Sequence, residues 1–560
     1  MKENKRKRWE KAVLPEGEAK MGFYLNSRAP YVLYEGETKS RYFVDKTLML
    51  EKIFGFIHTK NTHVCITRPR RFGKTVMANM LGAFLGKRSD AKELFDSLKI
   101  AGTEEYLEHL NRYNVIFIDF SKMDVFCKNY EEYIESIREL FEEDMQEYYP
   151  QIQFRENESI QGMLLRVFQK TGERFVFIMD EWDSIFHKSF MSEDDQKKHI
   201  WFLSNLLKDQ PYVILSYMTG ILPISKYSEG SELNMFREYT LVTEETFSEE
   251  FGFVEDEVDR VYAKYLTSTV NPKITRDDLR RWYDGYYTKS GERIYNPRSV
   301  VLALSNNNLG NYWTNSGPYD EIYYYVKHDI DGVRDDLALM AAGESVPANV
   351  QEYSATSMNL TNKDEIFSAM VVYGLLSYYE GEVCIPNKEL LDKYNIMLAK
   401  EPGMGYVYRL AKESRKMLNA TLHGDTKTMS DILEYVHNTE IPILSYNHET
   451  ELAAIVNLVF LTARDWYQVE REDKAGKGFV DFICYPYNRN ATCLILGLKV
   501  DDTAESALRQ IKEKGYVLRF QGKLGEEKVY TGDILAVGIG YWKDSKKHEC
   551  KIEKLSTDFG

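Results

Sequence analysis

Cysteine is scarce in this chain. Six thiols in 560 residues (Cys65, Cys127, Cys384, Cys484, Cys493, Cys550) are scattered with no C-x-x-C pair. Neither a zinc site nor a disulfide framework is expected. Cys65 and Cys484 fall in apolar strand patterns and read as core residues. Long apolar runs are missing too. The stretch Ala453-Ala454-Ile455-Val456, then Leu458-Val459-Phe460-Leu461, is interrupted by Asn457. It falls short of a membrane span and reads as a buried helix. No apolar core follows the basic start Met1-Lys2-Glu3-Asn4-Lys5-Arg6-Lys7-Arg8. A signal peptide is therefore not expected, and the cytoplasm is the expected compartment. That basic start reads as a frayed, solvated end more than as a nucleic-acid arm. Positive charge is in deficit, with a net charge of −15. This argues against a surface coated for non-specific nucleic-acid binding but leaves room for a local basic groove. Internal repeats and low-complexity linkers are absent as well.

What is present is enough apolar content, 43%, for ordinary globular cores, over a length that suggests about three to four domains. The run His63-Val64-Cys65-Ile66 reads as a strand, and Arg68-Pro69-Arg70-Arg71-Phe72-Gly73-Lys74-Thr75 as a tight loop entering a helix at Val76. A Gly-Lys-Thr at a helix start suits a triphosphate, because backbone N–H groups and the helix dipole attract phosphate. Arg70, Arg71, Phe72, Gly73, Lys74, Thr75 and Val76 are the expected nucleotide contacts. Lys74 would reach the β and γ oxygens and the Thr75 hydroxyl would ligate Mg²⁺. Arg68 stands where the usual pattern has its first glycine.

A second run, Phe175-Val176-Phe177-Ile178-Met179, reads as a strand buried on both faces and delivers Asp180 and Glu181 at its carboxyl end. Ligands bind at that end of an open α/β sheet. Asp180 is the expected Mg²⁺ ligand and Glu181 the group that orients or deprotonates the attacking water. Val115-Ile116-Phe117-Ile118, ending in Asp119, and Val213-Ile214-Leu215-Ser216-Tyr217-Met218, ending in Thr219-Gly220, fit the same sheet. Thr219 is the candidate sensor of the γ-phosphate, and Arg237 reads as a surface arginine.

The segment from Tyr42-Phe43-Val44-Asp45-Lys46 through the Arg-Pro-Arg-Arg-Phe-Gly-Lys-Thr loop resembles the bacterial AAA-ATPase-like family. That family couples an N-terminal P-loop domain to a C-terminal PD-(D/E)XK nuclease-like domain. Its phosphate loop looks like this one, with arginine in place of the first glycine. The resemblance continues in Tyr283-Asp284-Gly285-Tyr286 and Tyr295-Asn296-Pro297-Arg298-Ser299 and again near the C-terminus. The implied fold is α/β: a P-loop NTPase parallel sheet core, a helical, winged-helix-like middle region and a C-terminal restriction-endonuclease-like α/β domain. The expected boundaries are a polar lead-in over 1–30, the ATPase-like domain over 31–245, the helical lid over 246–440 and the nuclease-like domain over 441–560. Within the first of these domains, Tyr130 to Tyr148 carries Ile134, Ile137 and Leu140 at helical spacing. In the middle region Asn296 or Ser299 would cap the helix that follows. The stripe Tyr323, Tyr324, Tyr325 reads as aromatics packing a lid, with base stacking as the alternative.

From about 441 the pattern is helix, strand, turn, strand, strand, helix, strand. Glu449 or Glu451 opens the first helix, Val469-Glu470 ends a short strand, and 504–516 reads as the second helix. The region resembles the PD-(D/E)XK nuclease domain along its length. Asp481 matches the first acid and Lys499 the lysine. In such a domain two carboxylates hold a Mg²⁺ that activates water, and the lysine steadies the transition state. The second acid slot, two residues before the lysine, holds Gly497. Strand side chains alternate, so 497 and 499 share a face and a metal ligand is missing there. Impaired cleavage is the expectation. Asp501, if the strand continues, or Glu470 from the neighbouring strand would be a migrated acid.

The sequence therefore leads us to expect Mg²⁺-dependent ATP binding and hydrolysis, and nucleotide-controlled binding of DNA or another nucleic acid. Its rivals are an ATP-gated nuclease and a non-enzymatic nucleotide switch with a protein partner. No membrane association is expected, and self-association is left open.

Overall fold

The computed structural model describes residues 22–555 except 88–89, 124–126, 225–231, 314–325, 327, 329, 342, 344, 351–359, 401–404, 441–448, 473–480 and 523–528. For some residues within helices and strands, Glu472 and Asp481 among them, it describes the backbone alone. The basic N-terminus, the tyrosine stripe at 323–325 and the turn at 476–478 lie outside the described residues. Two compact units are present. The first runs to Asn315 and also includes Ser368–Gly374, and the second takes the other described residues.

The first unit is built on five parallel strands: β1 (His63–Thr67), β2 (Asn114–Asp119), β3 (Phe175–Asp180), β4 (Val213–Gly220) and β5 (Arg237–Tyr239), in the order β2-β3-β4-β1-β5. Every residue of β1, β3 and β4 is buried. That is why these strands read as unbroken apolar runs rather than as alternations. Helix α1 (Lys74–Leu85) leaves β1 through Gly73, whose φ of 93° only glycine adopts without cost. Helix α2 (Tyr130–Tyr148) is capped by Asn129, which accepts from the Glu132 N–H at 2.8 Å. It buries Tyr133, Ile137, Phe141 and Met145, one residue per turn.

The open edge at β2 is covered by the chain before the first helix. Asn26 donates its N–H to Val115 O at 2.7 Å. The buried Asp144 carboxylate accepts from the N–H groups of Phe23, Tyr24 and Leu25. An edge strand left bare would invite pairing with other chains.

The residues after β5, as far as Asn315, belong to the same compact unit. Helices α3 (Glu255–Ser268), α4 (Arg276–Tyr283) and α5 (Pro297–Asn306) surround Val258, Val261, Tyr265, Leu279, Tyr283, Val300 and Leu304. A two-stranded hairpin, β6 (Tyr286–Tyr287) and β7 (Arg293–Ile294), separates α4 from α5. Asn296 is the residue that caps α5, accepting from the Ser299 N–H at 3.2 Å.

The second unit contains helices, a small antiparallel sheet (Val346–Pro347, Ser377–Tyr379, Glu382–Cys384) and a mixed sheet of five strands. The mixed sheet comprises β8 (Tyr467–Glu472), β9 (Asp481–Pro486), β10 (Cys493–Val500), β11 (Ile534–Trp542) and β12 (Lys547–Leu555), paired in that order. Only β10 and β11 run parallel. Helix α6 (Ala504–Glu513) lies on one face, with Leu508 and Ile511 packed on Ile483, Cys493 and Ile495. It sits so close that a Cβ at Gly538 would stand 2.1 Å from the Ala504 carbonyl oxygen. No described helix is long and apolar enough to cross a membrane.

Candidate active site

The carboxyl ends of β1 and β3 open onto a cavity of about 600 Å³ within the first unit. One wall is the phosphate loop, Arg70 to Val76. Another is Glu181, Asp183 and Ser184 after β3. A third comes from the helical segment: Phe253, Arg298, Val301 and Leu302. Phe43, Val44 and Met77 also line it. The cavity thus has a charged end at the loop and a set of apolar lining residues, the usual make-up of a small-molecule pocket.

Lys74 is buried, and its ammonium donates to the carbonyl oxygens of Arg68 and Pro69 at 2.7 and 2.9 Å. Burial lowers its pKa to about 8, opposed by Asp183, Asp180 and Glu181. Asp180, at the end of β3, is 1% exposed and accepts from the hydroxyls of Thr219 and Thr75. Burial raises its pKa, with Asp119 adding to the shift and Lys74 opposing it. Glu181 is half-buried and is also raised, first by burial and then by Asp180. Thr75 and Asp180 therefore form a hard oxygen pair at the helix start, a donor set that fits Mg²⁺.

Thr219 stands one step back from its expected place. It is fully buried, its hydroxyl is given to Asp180, and it does not line the cavity. Asp183 fixes the turn after β4, accepting from the N–H groups of Ile221 and Leu222 at 2.9 and 2.7 Å. Arg237 is exposed on the short edge strand, its guanidinium 5.3 Å from the Tyr239 ring. Two loop residues, Arg71 and Glu181, have positive φ, 72° and 51°.

Arg298 was not read from the sequence as a site residue, although the Asn-Pro-Arg-Ser segment that carries it stood out. The Asn296 cap and the N1 proline fix the start of α5 and so aim Arg298 into the cavity. Its charge, together with that of Arg70, lowers the Arg71 pKa, although burial is the larger cause. Three guanidinium groups thus gather at the loop end of the cavity. Arg68 is different: it is 1% exposed and faces away from the cavity. It donates to Thr67 O and Tyr239 O, both at 2.8 Å, and to Phe247 O at 2.9 Å.

In the second unit, Asp481 lies opposite Gly497 in the β9–β10 register. Lys499 follows two residues later and is buried. A Cβ at Gly497 would meet Ile511 Cδ1 at 3.1 Å and Ala507 O at 3.2 Å. The Gly497 position is thus roofed by α6. The strand does not continue to Asp501. It ends at Val500, and Asp501 turns away at a φ of 55°, exposed and paired with Lys543 at 3.1 Å. Glu470 pairs in register with Ile483, and its carboxylate accepts from the Gln468 amide at 2.9 Å.

Comparison with known proteins matches residues 35–229 to the predicted AAA-ATPase family model and residues 447–538 to that of the PD-(D/E)XK nuclease superfamily. The chain carries an AAA-ATPase-like domain and a PD-(D/E)XK nuclease-like domain. A curated relative, an uncharacterized protein in the vnfD 5' region of Azotobacter chroococcum mcd 1, is 27% identical over 281 residues, 49% of this chain. The chain spans about half, 51%, of that relative's length. Among solved structures, the Walker-type ATPase PABY2304 of Pyrococcus abyssi is 12% identical with a TM-score of 0.36, covering 63% of this chain and 95% of that one. The ORC2 protein of Aeropyrum pernix, solved as ADPNP and ADP complexes, is 12% identical with a TM-score of 0.30, covering 68% of this chain and 97% of that one. The AAA-ATPase-like match contains Lys74, Thr75, Asp180, Glu181 and Thr219, and ends before Arg298. The nuclease-like match contains Asp481, Gly497 and Lys499.

Proposed function

We propose that the AAA-ATPase-like domain binds ATP with Mg²⁺ and hydrolyses it, and that the bound nucleotide controls association of the nuclease-like domain with nucleic acid. The observation that carries this reading is the state of Lys74. A buried ammonium resting on two loop carbonyls beside a cavity of about 600 Å³ is a cation waiting for an anion. A phosphate is the better partner, because charge-assisted hydrogen bonds are stronger than those to neutral carbonyls.

In this reading Lys74 moves from Arg68 O and Pro69 O to the β and γ oxygens. Arg70, Arg71 and the α1 N-terminus surround the phosphates, and Arg298 approaches the terminal one from α5. Thr75 and Asp180 hold Mg²⁺, which when bound offsets phosphate charge. Thr219 orients Asp180 through its hydroxyl. Glu181, its basicity raised by burial, positions the attacking water and takes its proton. The apolar residues Phe43, Val44, Phe253 and Leu302 receive the base.

For the nuclease-like domain we propose binding without cleavage. Gly497 supplies no carboxylate, Asp501 has turned away and Glu470 accepts from the Gln468 amide on its own strand, so in this reading the metal site lacks its second acid. The test is ATP turnover by the full chain with Mg²⁺. Glu181→Gln is expected to retain ATP binding and to lose turnover by about 10²-fold or more. Turnover unchanged in that variant would remove Glu181 from the reaction.

A further inference from the structure

Arg68 occupies the position where a phosphate loop usually has glycine, and substituting glycine there would give the ordinary G-x-x-x-x-G-K-T pattern. If the arginine were only tolerated, that substitution would be neutral or helpful. The surroundings of Arg68 argue otherwise. Its guanidinium is buried and reaches three carbonyl oxygens on three stretches of chain: Thr67 at the end of β1, Tyr239 at the end of β5, and Phe247. The Phe251 ring lies 5.2 Å from its centre. A planar five-donor group is the side chain that can join three carbonyls at once.

The stretch it holds leads directly into the nucleotide cavity. Glu250, Gly252 and Phe253 line that cavity, and Phe253 pairs with Tyr295 just before α5. The same residue's backbone faces the other way: Arg68 O is one of the two carbonyls that hold Lys74, at 2.7 Å. Arg68 N–H in turn donates to Gly220 O at the end of β4 at 3.2 Å. One residue thus fixes both the resting place of the phosphate-binding lysine and the root of the wall that carries Phe253 and Arg298.

We infer that Arg68 is a positioning residue for nucleotide binding, a clamp that holds segment 245–253 against the phosphate loop so that the two walls of the cavity keep their spacing. This rests on the reading of the cavity as a nucleotide site. The phosphate loop here has therefore exchanged the freedom of glycine for a fixed strut.

The test compares wild type, Arg68→Gly, Arg68→Lys and Lys74→Ala in the full chain, by equilibrium binding of Mg-ATP and by amide hydrogen exchange over 245–253. Arg68→Gly is expected to weaken ATP by about tenfold or more, the scale of one lost hydrogen bond to a charged group. Exchange over 245–253 should rise in the same variant without nucleotide. Arg68→Lys keeps the charge but not the fork, and is expected to fall between. Loss of folded protein alone would reduce the number of sites and leave the dissociation constant of the remainder unchanged, so a shifted constant separates positioning from stability. Should Arg68→Gly fold poorly, Arg68→Lys gives the same two readouts. ATP binding by Arg68→Gly as tight as wild type, or exchange over 245–253 unchanged, overturns the clamp. Failure of wild type itself to bind ATP, or equal binding by Lys74→Ala, overturns the nucleotide reading instead.

Discussion

Arg71 and Glu181 attract one another across the loop end of the cavity, and both stand on left-handed backbone, with φ of 72° and 51°. For residues with a Cβ that conformation costs about 1–2 kcal/mol each. Left-handed backbone recurs elsewhere, at His58, Glu380 and Lys546 for example, but among the described residues only Arg71 and Glu181 combine it with a place on the cavity wall, where such strain serves preorganisation.

The strain gives a first prediction. Arg71→Gly removes the backbone penalty, and glycine's larger unfolded-state entropy takes back about 0.5–1 kcal/mol. Net stability should stay level or rise by up to about 1.5 kcal/mol, while ATP affinity falls with the lost guanidinium. Thermal unfolding and nucleotide titration of the same preparation check this. A variant that is both less stable and an equal binder contradicts it.

The second prediction concerns pH. Burial holds Lys74 at about 8 without nucleotide, below the ordinary lysine value. A bound polyphosphate raises it, so affinity is complete below pH 8 and falls as the pH climbs from there towards the pKa of the bound form. Binding near pH 8 to 9 should take up a proton, visible as a buffer-dependent heat. For folding the sign is the reverse of a stabilising lysine. Burying the charged form opposes folding below pH 8, and that opposition fades between pH 8 and the unfolded value of 10.5. Affinity flat from pH 7 to 9.5 contradicts the assignment.

The third prediction separates the arginines. Arg298 enters from α5, outside the matched AAA-ATPase-like segment, and sits beside Arg71. Arg298→Ala should cost ATP about tenfold in affinity and ADP much less, because its role is at the terminal phosphate. Equal losses for the two nucleotides would place it elsewhere.

The fourth concerns the nuclease-like domain. The wild-type chain should not cleave DNA with Mg²⁺ or Mn²⁺, with or without ATP. Gly497→Glu must push its Cβ against Ile511 and the Ala507 carbonyl, which costs about 1–3 kcal/mol of overpacking. Cleavage by the wild-type chain that disappears in Asp481→Ala would contradict this and point to Glu470, on the neighbouring strand, as the second carboxylate.

The central strands of the first sheet were readable because burial on both faces leaves unbroken apolar runs, and α2 because one residue per turn is buried. Strand β5 was not, at three residues with Arg237 exposed. Strand β12 was missed because an edge strand carries lysines and glutamates, which here pair outward, as Lys551 does with Glu505 and Lys554 with Asp533. The phosphate loop and the two carboxylates at the carboxyl end of β3, Asp180 and Glu181, were legible as short local motifs. Arg298 and the ring of contacts around Arg68 were not, since they join segments far apart in sequence. Asp501 misled through alternation: nothing in its neighbours announces the positive φ that ends the strand one residue earlier.

The most direct test of the whole account is equilibrium binding of Mg-ATP to the full chain and to Lys74→Ala, which removes the buried ammonium and its two loop bonds. The account predicts saturable, Mg²⁺-dependent binding by wild type and a loss of about a hundredfold or more in the variant, the scale of a desolvated charge-assisted contact. Equal binding by both proteins would contradict it and move the nucleotide, if any, to another part of the molecule.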